Sequence, residues 1–379
     1  MRIAFYSPDR HIVYDGSTPD LIGVGGGITV RIRMAAALAA RGHEVQVVCN
    51  CPARICCDGV EYKPLDSVQE LRTDVLIAHS TGGAFDLTPL GRLNVEANLR
   101  ILVVSGIDEA AGWEEFRAQA ITTPGDYVSS AVRRAWRTRP PRIFACPYGI
   151  IPQDPATWAR RSIRSLIYTS HPSKGLAAAI GVIRLLLQQD TSWNLHVFGG
   201  NRLWGGHDEP VNEPGVEYHG LIPQSRLHGI YPRFGFALHL QRRLEPFGLT
   251  LVEAQGAGCV AIASPAGAYS EIVQDGCNGF LMNGDPDTES VQRAAAAVIQ
   301  SLGSSPDLFA RISETARCSP HSWQTIAEAW ETWMESEFEP PKSSAVSCAV
   351  CKEKLLLTAV GCHCVTCGTY RRLPTGPSC

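Results

Sequence analysis

Short apolar runs of strand length alternate with amphipathic stretches of helix length along most of this chain, and the alternation starts afresh near the middle. The strand candidates of the first half are residues 2–7, 44–50, 74–80, 100–106 and 143–148; those of the second half are 165–170, 194–199, 216–219, 236–240 and 260–264. Strands that alternate with helices pack as a parallel sheet covered on both faces, so the expected fold class is α/β, with two doubly wound lobes. Helices are predicted over 30–41, 174–189, 224–231, 248–258 and 289–302. In the first of these, Ile32, Ala35, Ala36 and Ala39 form the apolar stripe and Gly42 supplies the stop. Pro140-Pro141, Pro152 and Pro155 punctuate the middle, which places a domain boundary near residue 150.

A chain of 379 residues exceeds one ordinary core and suits two domains with a small appendage. Hydrophobic residues at 45% and charged residues at 19% are a globular composition. With a net charge of −3 there is no global positive field to attract nucleic acid or an anionic membrane. The first residues read as a buried strand and not as a signal peptide. No apolar run reaches the length of about 20 residues that spans a bilayer. A soluble, cytoplasmic protein is expected. Arg31, Arg33 and Arg41 read as a solvated helix face, with a peripheral membrane contact as the alternative. Cys49 and Cys146 sit in apolar runs, where a thiol is a small buried hydrophobe.

Two segments suit anion binding. Gly25-Gly26-Gly27 opens the 30–41 helix; glycines let backbone amides approach an anion and a helix start adds partial positive charge, although three glycines also make a plain loop. The second segment is Glu245-Pro246-Phe247-Gly248-Leu249-Thr250-Leu251-Val252-Glu253. Pro246 and Gly248 turn the chain after a strand, and the free amides of Gly248, Leu249 and Thr250 at the helix start face the carboxyl end of the sheet, where open α/β sheets bind ligands. Glu245 and Glu253 suit a bidentate grip on vicinal sugar hydroxyls. Read from spacing alone, Glu245 is equally a helix cap and Glu253 equally surface charge.

At these residues the sequence resembles the retaining glycosyltransferases of family 4, which have the GT-B fold: two Rossmann-like lobes with a cleft between them. The similarity runs over residues 1–338 and is most specific in 245–258, 260–264, Gly267 and 271–281, including the Glu-x7-Glu spacing of Glu245 and Glu253. Residues 25–45, 147–150 and Ser322-Trp323 resemble the glycine loop, the interdomain junction and the C-terminal helix. The resemblance implies an N-terminal acceptor lobe over 1–150, a nucleotide-sugar donor lobe over 151–318 and a Trp-rich helix over 319–338 that crosses back. It assigns the donor ribose to Glu253, the transferred sugar to Glu245, and sugar hydroxyls and phosphate to the amides from Phe247 to Thr250. Lys174, in Ser173-Lys174-Gly175-Leu176, neutralises the diphosphate leaving group.

Two departures from the family pattern are visible. Thr169 stands where the family carries Arg, so Arg242 or Arg243 becomes the candidate second cation. The loop Val104-Ser105-Gly106-Ile107-Asp108 has no His, so Asp108 or His79 is the candidate stand-in, and His171 is a further one. The implied reaction moves a hexose from a UDP- or GDP-sugar to a sugar, lipid-linked, protein or small-molecule acceptor. Retention is front-face and needs neither an enzyme nucleophile nor a catalytic metal. A nucleotide-sugar epimerase of the same fold and a non-catalytic sugar- or partner-binding protein are the alternatives.

After a linker at 339–347, residues 348–372 hold Cys348, Cys351, Cys364 and Cys367 as C-x2-C, twelve residues, C-x2-C. Four thiolates in two close pairs suit a tetrahedral structural zinc, whose binding would supply the folding energy that so short a segment lacks. Cys362 and His363 are near enough to compete as ligands.

Overall fold

The computed structural model describes residues 1–79, 86–106, 108–109, 111–136, 142–154, 161–209, 211–338, 347–350, 352–353, 355–364 and 369–372. They divide into two compact units. One comprises Met1–Thr18, Gly25–Gly149 and the chain from His321 onward; the other comprises Pro19–Val24 and Ile150–Pro320.

The first unit is built on an eight-stranded sheet in the order β3-β4-β2-β1-β5-β6-β7-β8. Its strands are β1 (Arg2–Tyr6), β2 (Glu44–Cys49), β3 (Ile55–Cys57), β4 (Val60–Pro64), β5 (Glu70–Ala78), β6 (Asn94–Val103), β7 (Ala120–Thr123) and β8 (Arg142–Ala145). Ile3, Ala4, Phe5 and Tyr6 are all buried, as a central parallel strand covered on both faces requires. Every pairing is parallel except β3 with β4. That pair turns at Asp58-Gly59 with φ of 50° and 75°, the left-handed backbone of a tight hairpin. The Gly26–Ala40 helix packs on β2. It starts earlier than the expected residue 30 because Ile28 and Thr29 already donate to the Gly25 carbonyl. Arg31 lies on its buried face: its Nη2 donates to the His79 carbonyl at 3.0 Å and its Nη1 to the Tyr14 hydroxyl. It therefore faces neither water nor a membrane. Arg41 is held by Glu331. No described helix is long and apolar enough to cross a membrane.

The second unit has a six-stranded, wholly parallel sheet in the order β11-β10-β9-β12-β13-β14. The strands are β9 (Ser162–Ser170), β10 (Asn194–Gly199), β11 (Val216–Gly220), β12 (Phe234–His239), β13 (Val260–Ala263) and β14 (Gly279–Leu281). Leu195, Val197, Phe236 and Leu238 pack against Ala179, Val182 and Ile183 of the Leu176–Leu187 helix and Ala295 and Ile299 of the Glu289–Gly303 helix. The order of the strands along the chain reverses between β9 and β12. A doubly wound sheet opens its ligand crevice at such a reversal, outside the carboxyl ends of the two strands.

Leaving the second unit at Pro320, the chain forms the Trp323–Phe338 helix on the first unit. The Ser322 hydroxyl accepts the Thr325 amide at its start, an N-cap that fixes where it begins. Trp333 is fully buried and stacks on Phe144 of β8, with ring centroids 4.5 Å apart. A three-stranded antiparallel sheet follows: β15 (Leu356–Leu357), β16 (Gly361–His363) and β17 (Tyr370–Arg372). His363 is sandwiched between Phe144 and Tyr370, and its Nε2 lies 2.8 Å from the Thr358 hydroxyl. The expected linker, apart from Ser347, lies outside the described residues.

Trp333→Ala is expected to destabilise the first unit by about 3–5 kcal/mol through the cavity it leaves. Hydrogen exchange read strand by strand checks this: protection should fall in β7 and β8 and remain in β9–β13.

Candidate functional site

The loops that follow β9 and β12 meet at the strand-order reversal. After β9, His171-Pro172-Ser173-Lys174-Gly175 makes one 3-10 turn. His171 Nδ1 accepts the Ser173 amide, and the Lys174 amide donates to the His171 carbonyl. Gly175 has φ +99°, and a Cβ built there would lie 1.7 Å from the Leu240 carbonyl oxygen just after β12. Only glycine lets the two loops come this close.

After β12 the chain runs through Gln241 and the exposed Arg242, Arg243 and Leu244 to Glu245. Glu245 is fastened to the loop after β13: its carbonyl accepts the Ala268 amide at 2.8 Å. Gly248, with φ +94° and Tyr269 packed against it, then opens the Leu249–Gly256 helix. The helix's own bonds begin where Leu251 and Val252 donate to the Gly248 carbonyl. The amides of Gly248, Leu249 and Thr250 come before these and form the electropositive end. The helix is shorter at both ends than residues 248–258, because its C-terminal turn closes at Ala257 and Gly258 takes φ +84°.

Lys174 Nζ lies 2.7 Å from Glu245 Oε2, with the two side chains 22% and 12% exposed. Gln241 Nε2 donates to the same oxygen at 3.3 Å. Glu245 is therefore an ion-paired group at the reversal and does not cap the helix. Glu253 is only 9% exposed and accepts Gln224 Nε2 at 2.8 Å, so it is not surface charge. Both carboxylates have left the roles that spacing alone allowed.

Arg242 does not join this group. Its guanidinium is held by Asp285 in a bidentate fork, with Nε to Oδ1 at 2.6 Å, and reaches Asp287 at 3.2 Å. Thr169 sits inside β9, is buried, and accepts the Tyr231 hydroxyl at 3.2 Å, so it contributes no cation. Gly26 and Gly27 form the first turn of their helix instead of a loop before it, and they belong to the other unit. In that unit Asp108 is exposed, whereas His79 is buried beside the Ser105 hydroxyl at 3.3 Å. Burial and the Arg31 charge hold the His79 imidazole well below its ordinary value, so it stays neutral.

Three residues at the second unit's site carried no signal in the motif. Gln241 steadies Glu245 and leaves its own Oε1 without a hydrogen-bond partner. His239, the last residue of β12, is buried, with Nδ1 3.4 Å from the Tyr269 hydroxyl and Nε2 unpartnered. Trp204, half exposed after β10, stacks on His171 at 3.8 Å and lies under the Arg243 guanidinium.

Of the described C-terminal cysteines, Cys362 is only half-buried. Cys348 and Cys364 are fully buried, and the Val350 amide points at Cys348 Sγ from 3.4 Å. An amide donated to sulfur favours the thiolate that a metal needs. Cys351 and Cys367 lie outside the described residues.

Residues 169–319 match the family described as Glycosyl transferases group 1. Over 88 residues the chain is 39% identical to the D-inositol 3-phosphate glycosyltransferase of Streptomyces scabiei (strain 87.22), which covers 22% of this chain and 18% of that protein. Over another 88-residue match it is 34% identical to the alpha-maltose-1-phosphate synthase of Mycolicibacterium smegmatis, covering 22% and 23%. The chain thus spans about a fifth of the length of the curated relatives it matches. Among solved structures, sucrose-phosphate synthase from Thermosynechococcus elongatus superposes with a TM-score of 0.63 at 14% identity, over 90% of this chain and 100% of that one. Anabaena HepE, solved in complex with UDP and glucose, gives 0.60 at 15% identity over 89% and 100%. Residues 169–319 are a glycosyl transferases group 1 domain, and the likeness to the solved structures shows a GT-B-like α/β fold.

Burial pushes His239 from 6.5 down to about 3, and the Lys174 charge adds to the shift. The unfolded chain takes up this proton near the ordinary value of 6.5 and the native one not until about 3. The stability secured by neutral His239 is therefore complete above pH 6.5 and is lost as pH falls toward 3. In His239→Gln, unfolding of the second unit should depend less on pH, by about 1 kcal/mol per pH unit below the ordinary value. Urea titrations between pH 7 and 5 check this.

Proposed function

We propose that the chain is a retaining glycosyltransferase that moves a hexose from a UDP- or GDP-sugar to an acceptor. The observation that carries the reading is the Lys174–Glu245 pair, set at the β9–β12 reversal beside the amides of Gly248, Leu249 and Thr250, within a glycosyl transferases group 1 domain. In the free protein each partner neutralises the other. A diphosphate at the helix start offers Lys174 a denser negative charge, and Glu245 is then released to accept a hydroxyl of the sugar being transferred. Lys174 and the amides stabilise the departing diphosphate, and Phe247 shapes the turn that presents them. Glu253 holds the ribose through the hydroxyls for which Gln224 now stands in.

Retention with departing phosphate as the base asks for no nucleophile from the chain and no catalytic metal. Gly26 and Gly27 offer first-turn amides in the acceptor unit, and Asp108 is that unit's exposed carboxylate for the acceptor hydroxyl. The acceptor belongs to the sugar, lipid-linked, protein or small-molecule classes. Among the cationic roles, Arg242 is given up to Asp285. Cys348, Cys351, Cys364 and Cys367 hold a structural zinc, which the buried sulfurs and the amide on Cys348 Sγ fit; thiolates of this kind suit the reducing cytoplasm.

A thermal-shift screen of UDP-, GDP- and dTDP-sugars tests the donor. The preferred donor should raise the melting temperature by several degrees, and Glu253→Ala and Glu253→Gln should both erase the response. An unchanged response in the folded Glu253→Gln protein counts against the ribose role. In turnover assays Lys174→Ala should lower kcat by roughly 10²–10³. Donor binding without release of nucleotide diphosphate across a broad acceptor panel would instead favour a binding protein, a reading that Thr169 in place of the family's Arg supports.

A further inference from the structure

Away from this site, His196 of β10 and Glu217 and His219 of β11 bring three ligand atoms together; among the described residues no other such group of His, Cys, Asp and Glu is found. β11 is the edge of the sheet. In register, His196 pairs with Glu217, which puts their side chains on one face. The register then slips: Val197 pairs with Tyr218 but Phe198 with Gly220, so that His219 is an extra residue, and Gly220 takes φ +69°. A bulge of this kind re-aims a side chain. Here it lays the His219 ring flat on Phe198, with centroids 4.4 Å apart, and brings His219 Nε2 to 2.9 Å from His196 Nδ1. Glu217 Oε2 lies 3.4 Å from His196 Nδ1 and 3.8 Å from His219 Nε2. Phe234 walls the other side of His196, with centroids 5.0 Å apart.

Two ring nitrogens this close cannot both point a proton at each other. Either one ring donates to the other, or both lone pairs face a cation. A hydrogen bond between two neutral rings makes no use of Glu217, whereas a cation uses all three groups. With metal–ligand bonds of about 2.0–2.2 Å, a tetrahedral zinc site sets its donor atoms about 3.3 Å apart, the middle of the observed spread. Imidazole and carboxylate together suit zinc better than calcium or magnesium, which take oxygen ligands.

We propose that His196, Glu217 and His219 bind a zinc ion on the outer edge of the donor unit, with a further coordination position open to solvent. Glu217 is 60% exposed and His219 35%, so the ion is reached without opening the fold. Bound there, it clips edge strand β11 to β10.

The test uses the full chain purified without a histidine tag, stripped with a chelator and titrated with zinc. Serine variants of Cys348, Cys351, Cys364 and Cys367 together provide a background without those four thiolates. That background should bind a single zinc ion. His219→Ala and the exposed Glu217→Gln should each weaken binding by at least the roughly 10–100-fold that even outer-shell changes cost. Cobalt on the unaltered chain gives a second readout: this site adds weak visible bands without the near-ultraviolet thiolate absorption of the cysteines, and His219→Ala removes only those bands. A background protein that binds no zinc, or zinc and cobalt binding indifferent to both substitutions, overturns the proposal. Neither result bears on the sugar-nucleotide site.

Discussion

Where Gly175 meets the Leu240 carbonyl, the loops after β9 and β12 touch backbone to backbone. Any side chain at Gly175 would collide with that oxygen, and its φ of +99° is one that other residues rarely adopt. Two further conditions hang on this contact. Lys174, one residue earlier, reaches across to Glu245; and the β12 loop, tied to the β13 loop by the Ala268 amide, delivers Gly248 and the start of its helix to the same place. Sheet order sets where a crevice opens, and this close approach decides which side chains line it.

The electrostatics of the pair follow from its partial burial. An exposed lysine–glutamate contact is worth about 0–1 kcal/mol, and a deeply buried one is held by the cost of stranding either charge. Lys174 and Glu245 lie between these limits. The pair is ordered without being locked, because water still reaches both charges at the partly exposed site. Gln241 also holds Glu245, since its amide donates to the oxygen that Lys174 contacts.

The legible part of the fold was the part written as continuous apolar runs. β1, β2, β9, β10, β12 and β13 lie within a few residues of their expected positions, since strands buried on both faces need uninterrupted hydrophobic sequence. β14 was missed because three residues carry no period, and β7 because half of its Ala-Ile-Thr-Thr is polar. The β3–β4 hairpin was missed although Asp58-Gly59, directly between its strands, is a strong turn signal; β3 has only three residues, and Glu61 and Lys63 interrupt β4. In the site, the Glu245-to-Glu253 motif was visible in sequence, but its partners were not. Gln241 lies four residues before Glu245 and outside the motif, Gln224 comes from another element, and the commitment of Arg242 to Asp285 depends on a residue far along the chain. The bulge at His219 depends on strand pairing and has no local signature.

Both units reverse strand order in the same way, β1 against β5 in one and β9 against β12 in the other, yet they present different chemistry there. In the first unit a cation also stands at the reversal, but Arg31 is fully buried and its two terminal nitrogens donate to the Tyr14 hydroxyl and the His79 carbonyl. That guanidinium braces the loop after β1 against the end of β5. An arginine so placed keeps its charge when buried, which suits a permanent brace. In the second unit the cation is a lysine, a flexible point charge on a four-carbon stem, still partly exposed and paired with the Glu245 carboxylate. One topology thus supports a buried cation that holds structure and a partly exposed one held in an ion pair, and the choice between arginine and lysine separates the two.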